Sequence, residues 1–238
     1  MSAGARLERV RLRELGKRFG RTQALRSLSL ELRAGELTVL LGPNGSGKST
    51  LLALLATLLA PDKGTLDYDG QTQREFARQG RSRIGYVSQE GMLYDDLSGL
   101  ENLRFFAELH GAPRSRVGLL AERVGLGEAA VRPVRGYSRG MRQRLAIARA
   151  LLPEPELVLL DEPFTGLDPL AMQELERLLG ELRAAGCLVV LSTHGLELSP
   201  ALCDRVCVLV QGRLRAARAP RPGESLSALY QAELGGTP

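Results

Sequence analysis

Residues Gly42-Pro43-Asn44-Gly45-Ser46-Gly47-Lys48-Ser49-Thr50 fit the phosphate-binding pattern G-x-x-x-x-G-K-[ST]. No other stretch limits the possible folds so tightly, because the pattern works in one setting: a buried strand before it and a helix after it. Both are legible. Leu37-Thr38-Val39-Leu40-Leu41 is a short apolar run suited to a buried parallel strand. Leu51-Leu52-Ala53-Leu54-Leu55-Ala56 is a strong helix former. The glycines let the backbone curl so that several N–H groups point inward at phosphate oxygens. The helix adds the positive end of its dipole. In this pattern Lys48 reaches the β- and γ-phosphates, and the Ser49 hydroxyl holds Mg²⁺.

A chain of 238 residues is one domain, or a large domain with a subdomain. The net charge of +5 rests on arginine, since Lys17, Lys48 and Lys63 are the only lysines. No basic run exceeds a few residues, so the charge reads as compositional bias and not as a nucleic-acid surface. Cys187, Cys203 and Cys207 lack C-x-x-C spacing and read as buried thiols of a reducing compartment. With His110 and His194 the only histidines, a zinc site is not expected. Met1 to Arg13 is poor in apolar residues and reads as no secretory signal. The longest apolar stretch, Leu51 to Ala60, is too short to cross a bilayer, so a membrane role would go through a partner.

Along the chain, Val10 and Leu12 alternate with Arg11 and Arg13, and Leu28, Leu30 and Leu32 with Ser29 and Glu31. This period of two predicts half-exposed antiparallel strands, with Phe19 in the turn between them. Pro61-Asp62-Lys63-Gly64 is expected to end the helix after the loop. Thr65 to Tyr68 with the Asp69-Gly70 turn predicts a hairpin edge. Ile84 to Val87 predicts a strand delivering Gln89. From Gly91 to about Pro133 the pattern turns helical, opened by the capping box Ser98-Gly99-Leu100-Glu101 and continued by a second amphipathic segment, Val117 to Val124. After Ser138, helices are expected over Met141–Leu152 and from Asp168-Pro169 to Gly186. Buried strands are expected over Leu157–Leu160, Leu188–Leu191 and Val206–Val210. Beyond Gly212, only a terminal helix over Ser225–Leu234 is expected.

Four apolar residues, Leu157 to Leu160, run into Asp161-Glu162. Carboxylates at the C-terminal end of a buried parallel strand face the ligand crevice. Paired with the phosphate loop, Asp161 is placed to hold Mg²⁺, and Glu162 to orient and deprotonate an attacking water.

With these pieces in order, the chain resembles the nucleotide-binding subunits of ABC transporters, from Phe19 to about Val210. Tyr137-Ser138-Arg139-Gly140-Met141-Arg142-Gln143-Arg144 is similar to the family signature LSGGQ and its basic helix. Ser138 and Gly140 are kept, Arg139 replaces the first glycine, and Met141 replaces the glutamine. The resemblance implies an α/β fold: a P-loop NTPase core of the RecA-like kind, an antiparallel β subdomain and an α-helical subdomain. These would form one domain over 1–238, with the helical subdomain at about 91–150 and a tail at about 212–238. It implies that Gly42 to Thr50 bind ATP and that Phe19 stacks on adenine. It makes Ser49, Gln89 and Asp161 the Mg²⁺ ligands, and Glu162, His194 and Gln89 the catalytic residues. Asp168 would lie in the D-loop, and Ser138 to Met141 would bind the ATP held by a second subunit.

The implied activity is ATP hydrolysis by a head-to-tail dimer of such subunits, most simply two copies. The implied partners are ATP, transmembrane permease subunits and no nucleic acid. The implied place is the cytoplasmic face of the inner membrane. Met92 to Ser98 and Glu101 to Phe106 are similar to the export branch, and together with Ser138 to Leu145 and Asp161 to Asp168 they resemble the haem-exporter subunits of cytochrome c biogenesis (CcmA). Exporters of drugs, antibiotics or other cargo share most of these features. Two other classes stay open: a soluble ATPase of this family acting on DNA or ribosomes, and a module that holds ATP without turnover.

Overall fold

The computed structural model describes residues 6–89, 91–195 and 198–235. The outermost residues of the expected 1–238 domain and 212–238 tail lie outside the described residues. The phosphate loop lies between two sheets. The first is antiparallel and contains β1 (Arg9–Phe19), β2 (Thr22–Arg33), β4 (Lys63–Tyr68) and β5 (Gln71–Thr72), in the order β2-β1-β4-β5. Its register sets Val10 against Leu32 and Tyr68, and Leu12 against Leu30 and Leu66. The side chains of these six are buried, so the period of two seen in the sequence lays one apolar face on the core.

The second sheet runs β10-β9-β3-β8-β7-β6. Its strands are β3 (Leu37–Leu41), β6 (Ile84–Val87), β7 (Leu157–Asp161), β8 (Leu188–Thr193), β9 (Arg205–Val210) and β10 (Arg213–Arg218). Five are parallel, and β10 pairs antiparallel with β9 at one edge. Every residue of β3, β7 and β8 is buried, as a parallel sheet covered on both faces requires. The alternation of side chains divides them between two cores. Leu40, Leu157, Leu159, Leu188 and Val190 face α1 (Lys48–Leu55) and the antiparallel sheet. Leu37, Val39, Leu41, Val158, Leu160 and Val189 face α5 (Arg139–Leu151), α6 (Pro169–Ala184) and the helical lobe. Each buried leucine contributes about 1.5–3 kcal/mol by leaving water.

The helical lobe holds α3 (Gly99–His110) and α4 (Ser115–Arg123), followed by short 3₁₀ turns over 127–131 and 134–136. The Ser98–Glu101 capping box forms as expected: Ser98 accepts from the Glu101 N–H, and Glu101 accepts from the Ser98 N–H. Three features differ from the sequence reading. Lys63 and Gly64 belong to β4, and the helix before them ends earlier, at Leu55. A helix α2 (Gln73–Gln79) follows β5, opened by a Thr72–Glu75 capping box; the T-x-x-E spacing was there to be read. The tail is a working part of the core. It forms β10 and α7 (Leu226–Gly235), buries Leu226 and Leu229, and is clasped where Arg218 pairs with Glu224 and Glu233.

Tyr68 joins the layers. Its ring stacks on Phe76 of α2 at 4.3 Å, and its hydroxyl donates to the Leu55 carbonyl at the end of α1, at 2.8 Å. Tyr68→Phe keeps the stack and strands that carbonyl. A loss of about 1 kcal/mol is expected, read as a lower urea midpoint with an unchanged m-value.

Candidate active site

Parallel pairing brings the C-terminal ends of β3, β6, β7 and β8 to one edge of the sheet, and every residue singled out in the core of the site follows one of them. After β3 comes the phosphate loop. Gly45 and Gly47 have φ of 77° and 106°, values open to glycine. At Gly47 a Cβ would come within 2.5 Å of the Ala24 carbonyl oxygen, so β2 closes the loop from behind. The turn between β9 and β10 supports it too, since the Gly212 N–H donates to the Ser46 carbonyl at 3.0 Å. Helix α1 starts at Lys48 with no side-chain cap and no acidic residue in its first turn. Its first N–H groups are therefore left for an anion. Ser46 Oγ is buried without a hydrogen-bond partner among the described residues.

Lys48 is buried and donates from Nζ to the carbonyls of Gly42 (2.7 Å) and Pro43 (3.2 Å). Burial lowers its pKa, and the Glu162 and Asp161 carboxylates act against that shift. A cavity of about 480 Å³ opens over the loop, lined by Asn44 to Thr50 with Thr22, Ala24, Gln89 and Glu162. Phosphates suit this lining: glycine backbone, a helix start and a desolvated ammonium.

At the end of β7, Asp161 is buried and Glu162 turns away from the strand with φ 53°. A glutamate in the left-handed region costs about 1 kcal/mol or more, so the surroundings must hold it. Ser192 of β8, opposite Asp161 in the register, does so. Its Oγ donates to Asp161 Oδ1 at 2.5 Å and accepts the Glu162 N–H at 3.1 Å. The Glu162 N–H also reaches the Ser192 carbonyl, at 3.2 Å. Ser192 was not singled out from the sequence, because its value lies in a cross-strand register that a linear motif does not show. His194 follows β8. Its Nδ1 lies 2.9 Å from Glu162 Oε2, and its backbone N–H donates to the same oxygen at 3.3 Å. The Glu162 side chain is 10% exposed and that of His194 58%, so an imidazole at the surface steers a nearly buried carboxylate.

The oxygen donors Ser49, Gln89 and Asp161 suit a hard divalent ion such as Mg²⁺. Ser192 engages one oxygen of Asp161 and leaves the other. Among the described residues no group of three or more His, Cys, Asp or Glu gathers to hold a metal.

The signature lies apart from this cavity, whose lining contains none of Ser138, Arg139, Gly140 and Met141. Ser138 caps α5, accepting the Met141 N–H at 3.2 Å. Gly140 is packed so that a Cβ there would lie 2.9 Å from the Gly166 carbonyl. Arg139 covers Gly166 in turn, with its Cδ 2.9 Å from where a Cβ would stand. Asp168 caps α6 by accepting the Ala171 N–H at 2.9 Å. Phe19 ends β1, 47% exposed, with Lys17 Nζ 5.6 Å from its ring centre. It is not in the core, nor does it line the phosphate-loop cavity. Residues 25–165 match the family model described as ABC transporter. The chain belongs to this family.

It is 40% identical over 210 residues to Nod factor export ATP-binding protein I of Ralstonia nicotianae, covering 87% of this chain and 65% of that one. It is 32% identical to lantibiotic transport ATP-binding protein SrtF of Streptococcus pyogenes, covering 94% and 97%. It is 42% identical to daunorubicin resistance ATP-binding protein DrrA3 of Streptomyces coeruleorubidus, covering 84% and 65%. The chain thus spans just under two thirds of the first and last of these proteins. Among solved structures, an ATP-binding subunit of an ABC transporter superposes with a TM-score of 0.85 at 29% identity, covering 94% of this chain and 99% of that one. A dimeric ATP-binding cassette in a post-hydrolysis state, bound to ADP and Pi, superposes with 0.79 at 29% identity, covering 89% and 99%. The fold is therefore that of a P-loop ATPase cassette with an antiparallel β subdomain, as expected, and the chain is an ATP-binding subunit of the ATP-hydrolysing kind.

Replacing Ser192 by Ala removes the oxygen shared by Asp161 and the Glu162 N–H. Two groups then lose a partner at a buried site, and a loss of about 1–3 kcal/mol is expected. Urea unfolding checks it, and a change within error of zero would show that the bridge is not holding the strand ends.

Proposed function

We propose that this chain energises a membrane exporter by binding and hydrolysing ATP as a dimer, and that its cargo is a drug, an antibiotic or a related secreted product. The observation that carries the ATPase part is one constellation on one sheet edge: Lys48 in its loop, Asp161, and Glu162 held by His194. The triphosphate sits on the backbone N–H groups of Gly45 to Thr50, with Lys48 moving from its two carbonyls to the terminal phosphates. Mg²⁺, when bound through Ser49, Asp161 and Gln89, neutralises phosphate charge. Glu162 accepts the proton of the attacking water as the water oxygen bonds to the γ-phosphorus and the bond to the ADP oxygen breaks. His194, through Nδ1, holds the Glu162 oxygen in place. Phe19 is proposed to meet adenine only once nucleotide is bound.

Ser138, Gly140 and Met141 lie outside the phosphate-loop cavity of their own chain, which supports their serving the ATP of a second copy, with Arg139, which borders an adjoining cavity beside Gln89 and Glu162, next to them and Asp168 crossing the interface. That clamp closes on ATP and reopens on hydrolysis, and so shifts a two-state equilibrium. Among the described residues no helix is long and apolar enough to cross a membrane. From membership of the ABC transporter family, the proposed place is the cytoplasmic face of the inner membrane, docked on permease subunits through the helical lobe.

The three relatives are named for Nod factor, lantibiotic and daunorubicin and not for haem. They favour the drug or antibiotic alternative over the haem-export reading of the sequence.

Two outcomes are expected. Glu162→Gln keeps the size of the side chain and loses its basicity. ATP binding should persist by calorimetry, turnover should fall by about 10²–10⁴-fold, and light scattering should show an ATP-dependent dimer. Turnover close to that of the wild type would exclude Glu162 as the base. Reconstituted with its permease in vesicles, the wild type should hydrolyse ATP faster with daunorubicin or a lantibiotic and unchanged with haem. Stimulation by haem alone would restore the haem reading.

A further inference from the structure

Arg149 lies on α5, far along the helix from Ser138, and is 9% exposed. Among the described residues its guanidinium meets no carboxylate. It meets two backbone carbonyls and a ring. Nη1 donates to Met92 O at 2.9 Å, Nη2 donates to Tyr86 O at 3.3 Å, and Cζ stands 5.1 Å from the ring centre of Phe106 on α3. Gln89 is the midpoint between the two carbonyls in sequence, so one side chain grips both ends of the segment that carries it. Met92 has φ 47°, a conformation costly for a non-glycine residue, and its carbonyl is where the shorter of the two bonds falls. Two residues on, Asn102 of α3 accepts the Tyr94 N–H (2.8 Å) and donates to its carbonyl (2.9 Å).

Burying a cation with no anion among the described residues is an expensive way to fill space, and burial accordingly lowers the pKa of Arg149. An apolar side chain would fill the site at less cost. What only arginine supplies is a rigid fork with two directed donors and a flat face for an aromatic ring. We infer that Arg149 is a positioning residue: it fastens the Gln89 segment to α5 and to α3, and so holds Gln89 in place at the edge of the phosphate-loop cavity. The inference rests on the ATPase reading above. Arg149 touches no part of the nucleotide cavity, so its effect must pass through Gln89.

Three variants test it: Arg149→Lys, Gln89→Ala and the double variant. Lysine keeps the charge but cannot reach both carbonyls as a fork. Arg149→Lys is expected to lower kcat about ten- to a hundredfold, as displacement of a catalytic group does, with the Kd for ATP within about twofold of the wild type, since the loop is untouched. The double variant should turn over no more slowly than Gln89→Ala alone, because the two residues act in series. Hydrogen exchange should speed up over residues 86–94 while α6 and β8 keep their protection. Multiplicative losses in the double variant, or unchanged exchange over 86–94, would overturn the inference. If Arg149→Lys does not fold, Phe106→Leu removes the ring beneath the fork and should give a smaller loss with the same non-additivity; additive losses there count against it equally. If the wild type has no turnover, the ATPase reading fails, and hydrogen exchange still decides whether Arg149 fastens the segment.

Discussion

Parallel pairing of β3 with β8 and of β8 with β7 is the constraint on which the remaining structure depends. Leu41 stands opposite Thr193, and Asp161 opposite Ser192. Because the three strands run the same way, their C-terminal ends share an edge, and the loop, the two acids and the histidine emerge side by side. A slip of one residue would send alternate side chains to the wrong core. It would also part Ser192 from Asp161. The apolar registry of Leu157, Leu159, Leu188 and Val190 against α1 therefore sets the geometry of the chemistry a few residues further on.

The site is held by shared partners. Ser192 serves both Asp161 and Glu162, and Glu162 is met twice by His194, through Nδ1 and through its backbone N–H. Such sharing keeps a glutamate in the left-handed region and nearly out of water while its carboxylate still borders the phosphate cavity. The phosphate loop is built likewise: β2 presses on Gly47, and the β9–β10 turn supports Ser46. Both sheets thus contribute to one loop, which explains why the first sheet and the last hairpin belong to a site whose acids and lysine lie elsewhere.

The helical lobe packs on the ATPase core through one continuous apolar cluster, in which Leu103, Ala107, Val117 and Leu120 join Leu145 and Leu41, and a few polar contacts tie the Gln89 segment to it. Arg149 and Asn102 hold backbone carbonyls and one N–H of the Gln89 segment, whereas α5 itself is anchored by Leu145, Ala146 and Ile147 in the core. These directed hydrogen bonds fix the orientation of the segment more than they add burial.

Local chemistry was legible from the residues alone. The glycine loop, the apolar strands, the Ser98 and Asp168 helix starts and the Asp161-Glu162 pair each rest on short-range rules of spacing and capping, and the structure forms them where those rules place them. The family followed from the order of these motifs. Helix α2 also had a local signal, the Thr72–Glu75 spacing. What had no local signal was everything set by contact across the sheet. Ser192 matters only because β8 lies beside β7, Arg149 only because α5 passes beneath the end of β6, and β10 only because β9 offers it an edge. Phe19 reads locally as a turn residue, yet it is the last residue of β1, paired with Thr22 and exposed. Propensity and periodicity act within a few residues, whereas these placements depend on partners tens of residues away, and only the packed fold brings such partners together.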